Sequence, residues 1–203
     1  MKRTVIILDY AHGIDTPGKR SPDGTHREYL WSRQRGAAIA LILRALGYRV
    51  ELSNPGDKES GLPARMAFAK NLQVEPGQVK LMLPLHNNAA GSGALWMSAR
   101  GIEMWTGTGE DHADRAADIA FQVLKKYFPT ALFRMNINKD LQRDKEGNLA
   151  LCKIPGVYTL FFEYLFQDNK EDVLALKNPV ENKRFEDAVV DIVEMFELYI
   201  SKL

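Results

Sequence analysis

Cysteine is nearly absent: Cys152 is the only one among 203 residues. That excludes a disulfide within the chain and a metal cluster built from its own thiolates. Long apolar runs are absent too. None approaches the roughly 20 residues that span a bilayer, so no membrane span is expected. The opening Met1-Lys2-Arg3-Thr4 leads straight into a short strand containing Asp9. It lacks the apolar region and small-residue cleavage site of a secretory leader, so the chain as written reads as cytoplasmic. An excess of charge of one sign is also missing: 27 Lys+Arg against 26 Asp+Glu leave a formal net charge of +1. That balance gives no electrostatic case for nucleic acid or an anionic membrane as partner. No repeat, low-complexity tract or interdomain linker breaks the chain. Its length suits one domain over residues 1–203 with a real core.

What the chain does contain is an alternation of strand-like and helix-like segments. Residues 4–9 read as a buried strand, and 48–52, 79–85 and 101–105 as further strands. Residues 157–163 are the most apolar run and are expected at the centre of the sheet. A helical pattern covers 28–46, with Ala37, Ala38, Leu41, Ile42, Ala45 and Leu46 on one stripe. Others cover 62–72, with Met66 and Ala69 inward, then 108–128, 170–177 and about 180–201. Residues 10–25 form a loop rich in Gly, Pro, Asp and Ser, and 87–99 a loop of small residues. Asp144-Lys145-Glu146-Gly147-Asn148 is a turn signal that makes 130–156 a candidate hairpin or lid insertion. The alternation argues for an α/β fold: a single domain with a twisted, mostly parallel or mixed sheet and helices on both faces.

Four residues stand at informative places. His12 follows the apolar run 4–8, His86 follows 79–83, Glu163 closes 157–162, and Glu28 opens a helix. In an open α/β sheet, functional groups gather beyond the carboxyl ends of the strands. Two histidines and two carboxylates gathered there suit a zinc hydrolase with three ligands, one open position and one general base. Each residue also has a plainer reading. His12 equally suits a loop histidine bonded to a local carbonyl, and His86 a satisfied core histidine. Thr25-His26-Arg27-Glu28 fits a capping box, which would explain Glu28 without any metal. Glu163 ends a run with no other charge, so its carboxylate must be paired, protonated or facing a cleft. Burial there would also raise its pKa toward the range of a general base. His26 is an alternative to Glu28 as a ligand, and His112 reads as a solvated surface group. Trp96, in a Gly/Ser loop, is a candidate for stacking on a sugar ring, whereas Trp105 reads as core.

The flanking segments add an ordered pattern. Asp9-Tyr10-Ala11-His12-Gly13-Ile14 comes first, then Glu28, then Arg65 within Ala64-Arg65-Met66-Ala67-Phe68-Ala69-Lys70-Asn71. Pro84-Leu85-His86-Asn87-Asn88-Ala89 and Arg100-Gly101-Ile102-Glu103 follow, and Glu163 with Asn169 completes the set. This series resembles the zinc-dependent N-acetylmuramoyl-L-alanine amidases of the type 3 class, which cleave bacterial peptidoglycan, and it covers residue 4 to about 200. The chain departs from the pattern in three places. Tyr10-Ala11 replaces Pro-Gly, Asn87 replaces a small Ala, and Glu163-Tyr164-Leu165-Phe166 replaces Glu-x-Gly-Phe. The departures touch the cleft walls and leave the four chemical residues in place.

The resemblance implies a single catalytic amidase domain of phosphorylase/hydrolase-like fold. It implies Zn2+ held by His12, Glu28 and His86, with Glu163 as the general base, and Arg65, Asn88 and Trp96 as substrate-binding candidates. The implied partner is peptidoglycan, cut between N-acetylmuramic acid and L-alanine. One alternative is a zinc carboxypeptidase on stem peptides, with Arg134 and Arg143 as a clamp for the terminal carboxylate. Another is a non-catalytic wall-binding module of the same fold. The expected place of action is the cell wall, reached after release as an endolysin or after removal of a leader. Oligomeric state is not legible.

Overall fold

Period-two alternation decides which side of the sheet each strand residue serves. In the computed structural model, which describes residues 2–135 and 144–203, β1 (Thr4–Tyr10) turns Ile6, Leu8 and Tyr10 to one face and Ile7 to the other. Among the described residues it is joined by β2 (Val50–Leu52), β3 (Val79–Asn88), β4 (Ile102–Thr106), β5 (Lys145–Glu146), β6 (Tyr158–Thr159) and β7 (Phe161–Phe166). The strand order is β2-β1-β3-β7-β4-β5, with β6 also paired to β3. Pairing is parallel except between β4 and β7. The sheet is therefore mixed and β7 is central, as expected.

The two faces are covered unequally. On one, Leu81, Leu83, Leu85, Phe162 and Tyr164 pack into a large core. Long helices α1 (Glu28–Ala45), α3 (His112–Tyr127) and α5 (Pro179–Ile200) close it. A short α4 (Lys170–Leu176) leads from β7 into α5. On the other face Ile7, Met82 and Phe161 meet Ala69 of α2 (Leu62–Asn71) and Leu151 of a 3-10 turn at Ala150–Lys153. Lys80, on this second face, donates from Nζ to the carbonyls of Ala69 and Lys70, satisfying the C-terminal end of α2. A face that carries one short helix has room for a cleft. His86 pairs with Glu163 across β3 and β7, and Glu163 with Glu103 across β7 and β4, so the three form one row on that face.

Several details differ from the sequence expectation. The buried stripe of α1 is Ile39, Ala40 and Leu43 together with Glu28, Trp31, Ser32 and Gly36; Leu41 is 73% exposed and Ala37, Ala45 and Leu46 are exposed too. Residues 37–43 are apolar almost all round, so they do not select a face. The polar first turns do, because Glu28, Ser32 and Gly36 fall at four-residue steps. The Ser32 hydroxyl donates to the Leu85 carbonyl and accepts from the Ala11 amide. Asn87 and Asn88 extend β3 where a loop was expected. The segment after Asp144 forms β5, paired parallel with β4, where a hairpin or lid was expected; residues 136–143 lie outside the described residues. His112 is half-buried, with Nδ1 2.9 Å from the Tyr199 hydroxyl and its ring against Tyr158, because α5 returns across its helix end. No helix among the described residues is long and apolar enough to cross a membrane.

Gly36 lets α1 approach β1 closely. A Cβ there would lie 2.0 Å from Cε1 of the buried Tyr10 ring. Gly36→Ala is expected to lower the unfolding free energy by about 1–3 kcal/mol through overpacking, despite the roughly 1 kcal/mol that alanine gains over glycine in a helix. Urea denaturation checks this, and a net stabilisation would contradict the packing.

Candidate metal centre

The chain must turn sharply after β1 to present His12. His12 takes a φ of 50°, in the left-handed region that costs a non-glycine residue on the order of 1–3 kcal/mol. Hydrogen bonds hold it there. Asn54 Nδ2 donates to the carbonyls of Tyr10 (2.8 Å) and His12 (2.9 Å). Arg33 donates to those of Ala11 (3.0 Å) and His12 (2.8 Å).

Glu28 is the first residue of α1 and is 1% exposed. Its helix starts too late for the capping box: the N-cap is Arg27, with no side-chain cap, and the Glu28 amide donates to the Lys19 carbonyl. The carboxylate instead turns under the sheet. Oε1 lies 3.0 Å from His86 Nδ1 and 3.5 Å from His12 Nε2, and accepts the Asn87 amide at 3.1 Å. Oε2 accepts Gln167 Nε2 at 2.9 Å. Burial alone would raise its pKa, but the His86 hydrogen bond and the charges of His86 and His12 outweigh it and hold the carboxyl at about 2. Burial pushes the His12 pKa down, against the charge of Glu28, which favours the neutral ring that a metal needs.

His12, Glu28 and His86 form a group whose donor atoms all lie within 4.8 Å of one another. Donors on a tetrahedral ion, each at 2.0–2.2 Å, lie roughly 3.4 Å apart, close to the 3.0 and 3.5 Å found here. His86 Nε2 is buried with no partner among the described residues. Two imidazoles and one carboxylate, with His12 Nε2 and His86 Nδ1 both turned to Glu28 Oε1, fit a divalent metal of the zinc type.

Glu163 stands beside this group. The residue is half-buried, yet its Oε2 is enclosed and has no partner among the described residues. Burial, then the negative charge of Glu28, raise its pKa well above the usual carboxylate range. Glu103, opposite it, is bonded to Arg134 (2.7 Å) and Lys145 (2.8 Å). Arg134 thus already has an acidic partner, and its guanidinium lies over the Phe166 ring at 5.3 Å. Arg143 lies outside the described residues.

The other candidates fall elsewhere. Arg65 is 3% exposed and ion-paired with Asp9 and Glu59; Glu59 Oε2 faces His12 Nδ1 at 3.5 Å. Arg65 therefore reaches the centre through Glu59 and His12. Asn88 sits at the end of β3, its Oδ1 accepting the Ala89 amide. Trp96 lines a separate cavity with Thr25, Lys170, Val173 and Leu174, and none of the four central residues. His26 Nε2 is engaged by Asn87 Oδ1 at 2.8 Å. Glu59 and Gln167 escaped the sequence reading because nothing in their local pattern marks them, and Asn87 stood out only as a departure from the resembled pattern. Asp9, a charge inside an apolar strand, carried the same signal as Glu163.

A family profile described as N-acetylmuramoyl-L-alanine amidase matches residues 6–195. The solved structures similar to this one include an N-acetylmuramoyl-L-alanine amidase from Clostridium difficile 630 (18% identity, 97% of each chain covered, TM-score 0.79). They also include the CwlD amidase of Clostridioides difficile, solved with the GerS lipoprotein (14% identity, 96% of this chain and 98% of that one, TM-score 0.77). A third is Ami1 of Mycobacterium smegmatis (16% identity, 96% of each chain, TM-score 0.76). A comparison with curated proteins finds no match. The chain belongs to the N-acetylmuramoyl-L-alanine amidase family and has its fold, so it is an amide hydrolase of the peptidoglycan-cleaving class.

Glu28→Gln is expected to keep the helix content and to weaken zinc binding by more than the 10–100-fold typical of outer-shell partners. Circular dichroism and titration calorimetry read the two effects; lost helix with unchanged affinity would restore the capping role. Because Glu28 titrates at about 2 and burial lowers the His12 pKa, zinc affinity should hold through the neutral range. It should fall below that as His12 takes up a proton. An acid limb that is unchanged in His12→Gln would assign the titration to another group.

Proposed function

We propose that this protein is a zinc-dependent amidase that hydrolyses the amide between the muramic acid lactyl group and L-alanine, with His12, Glu28 and His86 as ligands and Glu163 as general base. The observation that carries the reading is the enclosed, unpartnered Oε2 of Glu163, paired across the sheet with His86. Zinc supplies a Lewis acid for the scissile carbonyl and makes water acidic enough to deprotonate near neutral pH.

The chain's own groups do the rest. Glu163 takes a proton from the attacking water and returns it to the alanine nitrogen as the C–N bond breaks. The products are a lactyl carboxylate and a free amino terminus. A raised pKa suits both halves of that transfer, since the base must take the proton and then give it up. Glu103 adds to the rise and Lys145, its bonded partner, opposes it, so the row tunes the base from the far side. Glu59, anchored by the Thr16 hydroxyl (2.7 Å) and Arg65 (3.0 Å), faces the outer nitrogen of His12 and orients the ring.

Glu163→Gln should keep zinc and lose about 10²–10⁴ in turnover of purified peptidoglycan. Mass spectrometry of a wild-type digest should show intact stem peptides with a free N-terminal alanine. Undiminished turnover in the variant would remove Glu163 from the chemistry, and trimmed peptides still attached to muramic acid would indicate a carboxypeptidase.

A further inference from the structure

The loop after β1 and the residues that open α1 border an open hollow of about 260 Å³, whose lining includes Ile14, Thr16, Lys19, Arg20, Arg27 and Tyr29 and none of the four central residues. Three of these are cations. Elsewhere Arg35, Arg49, Arg100, Arg115, Arg134 and Arg184 have acidic partners, and Arg3, Arg33 and Arg44 donate to backbone carbonyls. Lys19, Arg20 and Arg27 make no ion pair with any carboxylate among the described residues. Three like charges around one hollow repel one another, and an anion in the hollow relieves that repulsion.

The hollow is built rather than draped. Arg20 and Arg27 form an antiparallel backbone bridge, closed by Ser21 N–H to the His26 carbonyl at 3.0 Å and Glu28 N–H to the Lys19 carbonyl at 3.2 Å. On the outer side the loop meets Gly93, where a Cβ would lie 2.8 Å from the Gly18 carbonyl oxygen. Thr16 connects the hollow to the centre, since its hydroxyl donates to the Glu59 carboxylate that faces His12. The charge of Lys19 acts on His12, Glu28 and Glu163, so the hollow and the centre share one electrostatic field.

We propose that this hollow is a carboxylate subsite that holds an acidic residue of the stem peptide, on the leaving-amine side of the scissile bond. The proposal rests on the amidase reading. In that substrate the lactyl carboxyl is consumed in the amide and the N-acetylated sugars are neutral. Anionic charge near the cut is therefore supplied by the peptide's own carboxylates. A charge-assisted contact to such a group contributes affinity and selects among stem peptides.

Two synthetic substrates test it: N-acetylmuramoyl-L-alanyl peptides that differ only in whether the residue after alanine carries a free carboxylate or its primary amide. Neither contains wall phosphate, so a phosphate cannot account for a difference. Wild-type enzyme saturated with zinc should prefer the free acid by roughly ten- to a hundredfold in kcat/KM, chiefly through KM. Lys19→Met and Arg27→Gln should each bring that ratio toward one. Lys19→Glu should favour a third substrate whose carboxylate is capped as the cationic aminoethylamide, a reversal that a merely structural role for Lys19 does not produce. A wild-type ratio near one, or a preference undiminished in both neutral variants, overturns the subsite while cleavage of the amide substrate leaves the amidase reading standing. If wild type cleaves none of the three, the amidase reading fails and the subsite with it.

Discussion

The carboxylate of Glu28 is the contact on which the centre depends. It is 1% exposed, at the first turn of a helix, with both oxygens engaged by groups from β3, from the residue after β7 and from the loop after β1. A buried carboxylate without partners would cost several kcal/mol, so those elements have to meet around it. The same constraint selects the face that α1 buries. Glu28, Ser32 and Gly36 must all point at the sheet, and the apolar residues beyond them follow.

Two strained residues border this contact. His12 and Leu165 are the non-glycine residues with positive φ among the described residues, at 50° and 62°. Leu165 forms the bulge of β7 opposite Asn87, where the register between β3 and β7 shifts. It stands where the resembled pattern carries glycine, so this chain keeps the bulge at the cost of strain and in return buries a leucine side chain in the larger core. Asn87, the other departure on that seam, bonds His26 and the Tyr164 carbonyl (2.8 Å) and donates its amide to Glu28. Two of the three departures thus lie on one seam between β3 and β7, behind the ligands, and the third, Tyr10-Ala11, lies at the end of β1.

Much of this was legible in the sequence for physical reasons. The strands were visible because buried strands are apolar runs, and His12, His86 and Glu163 because each follows or ends such a run, whereas Glu28 was marked only by its place at a helix start and by the resembled pattern. Charge at an apolar strand end is costly and therefore informative, which also holds for Asp9. The face of α1 was not legible, because seven apolar residues in succession carry no direction; the direction came from a carboxylate whose partners lie 59 and 139 residues away. Glu59 and Gln167 were invisible for the same reason, since their roles arise from contacts across the fold and leave no local periodicity. The unpaired cations Lys19, Arg20 and Arg27 were visible as letters, but only the closed loop shows that they share one hollow.

The most direct measurement is anomalous diffraction at the zinc absorption edge from crystals of the wild-type protein grown with zinc near neutral pH. One peak is expected within about 2.0–2.2 Å of donor atoms from His12, Glu28 and His86, with Glu163 nearby and outside the coordination shell. A peak that recruits Glu163 as a ligand, or none at this group while zinc binds elsewhere, would contradict the division of the four residues into three ligands and a base.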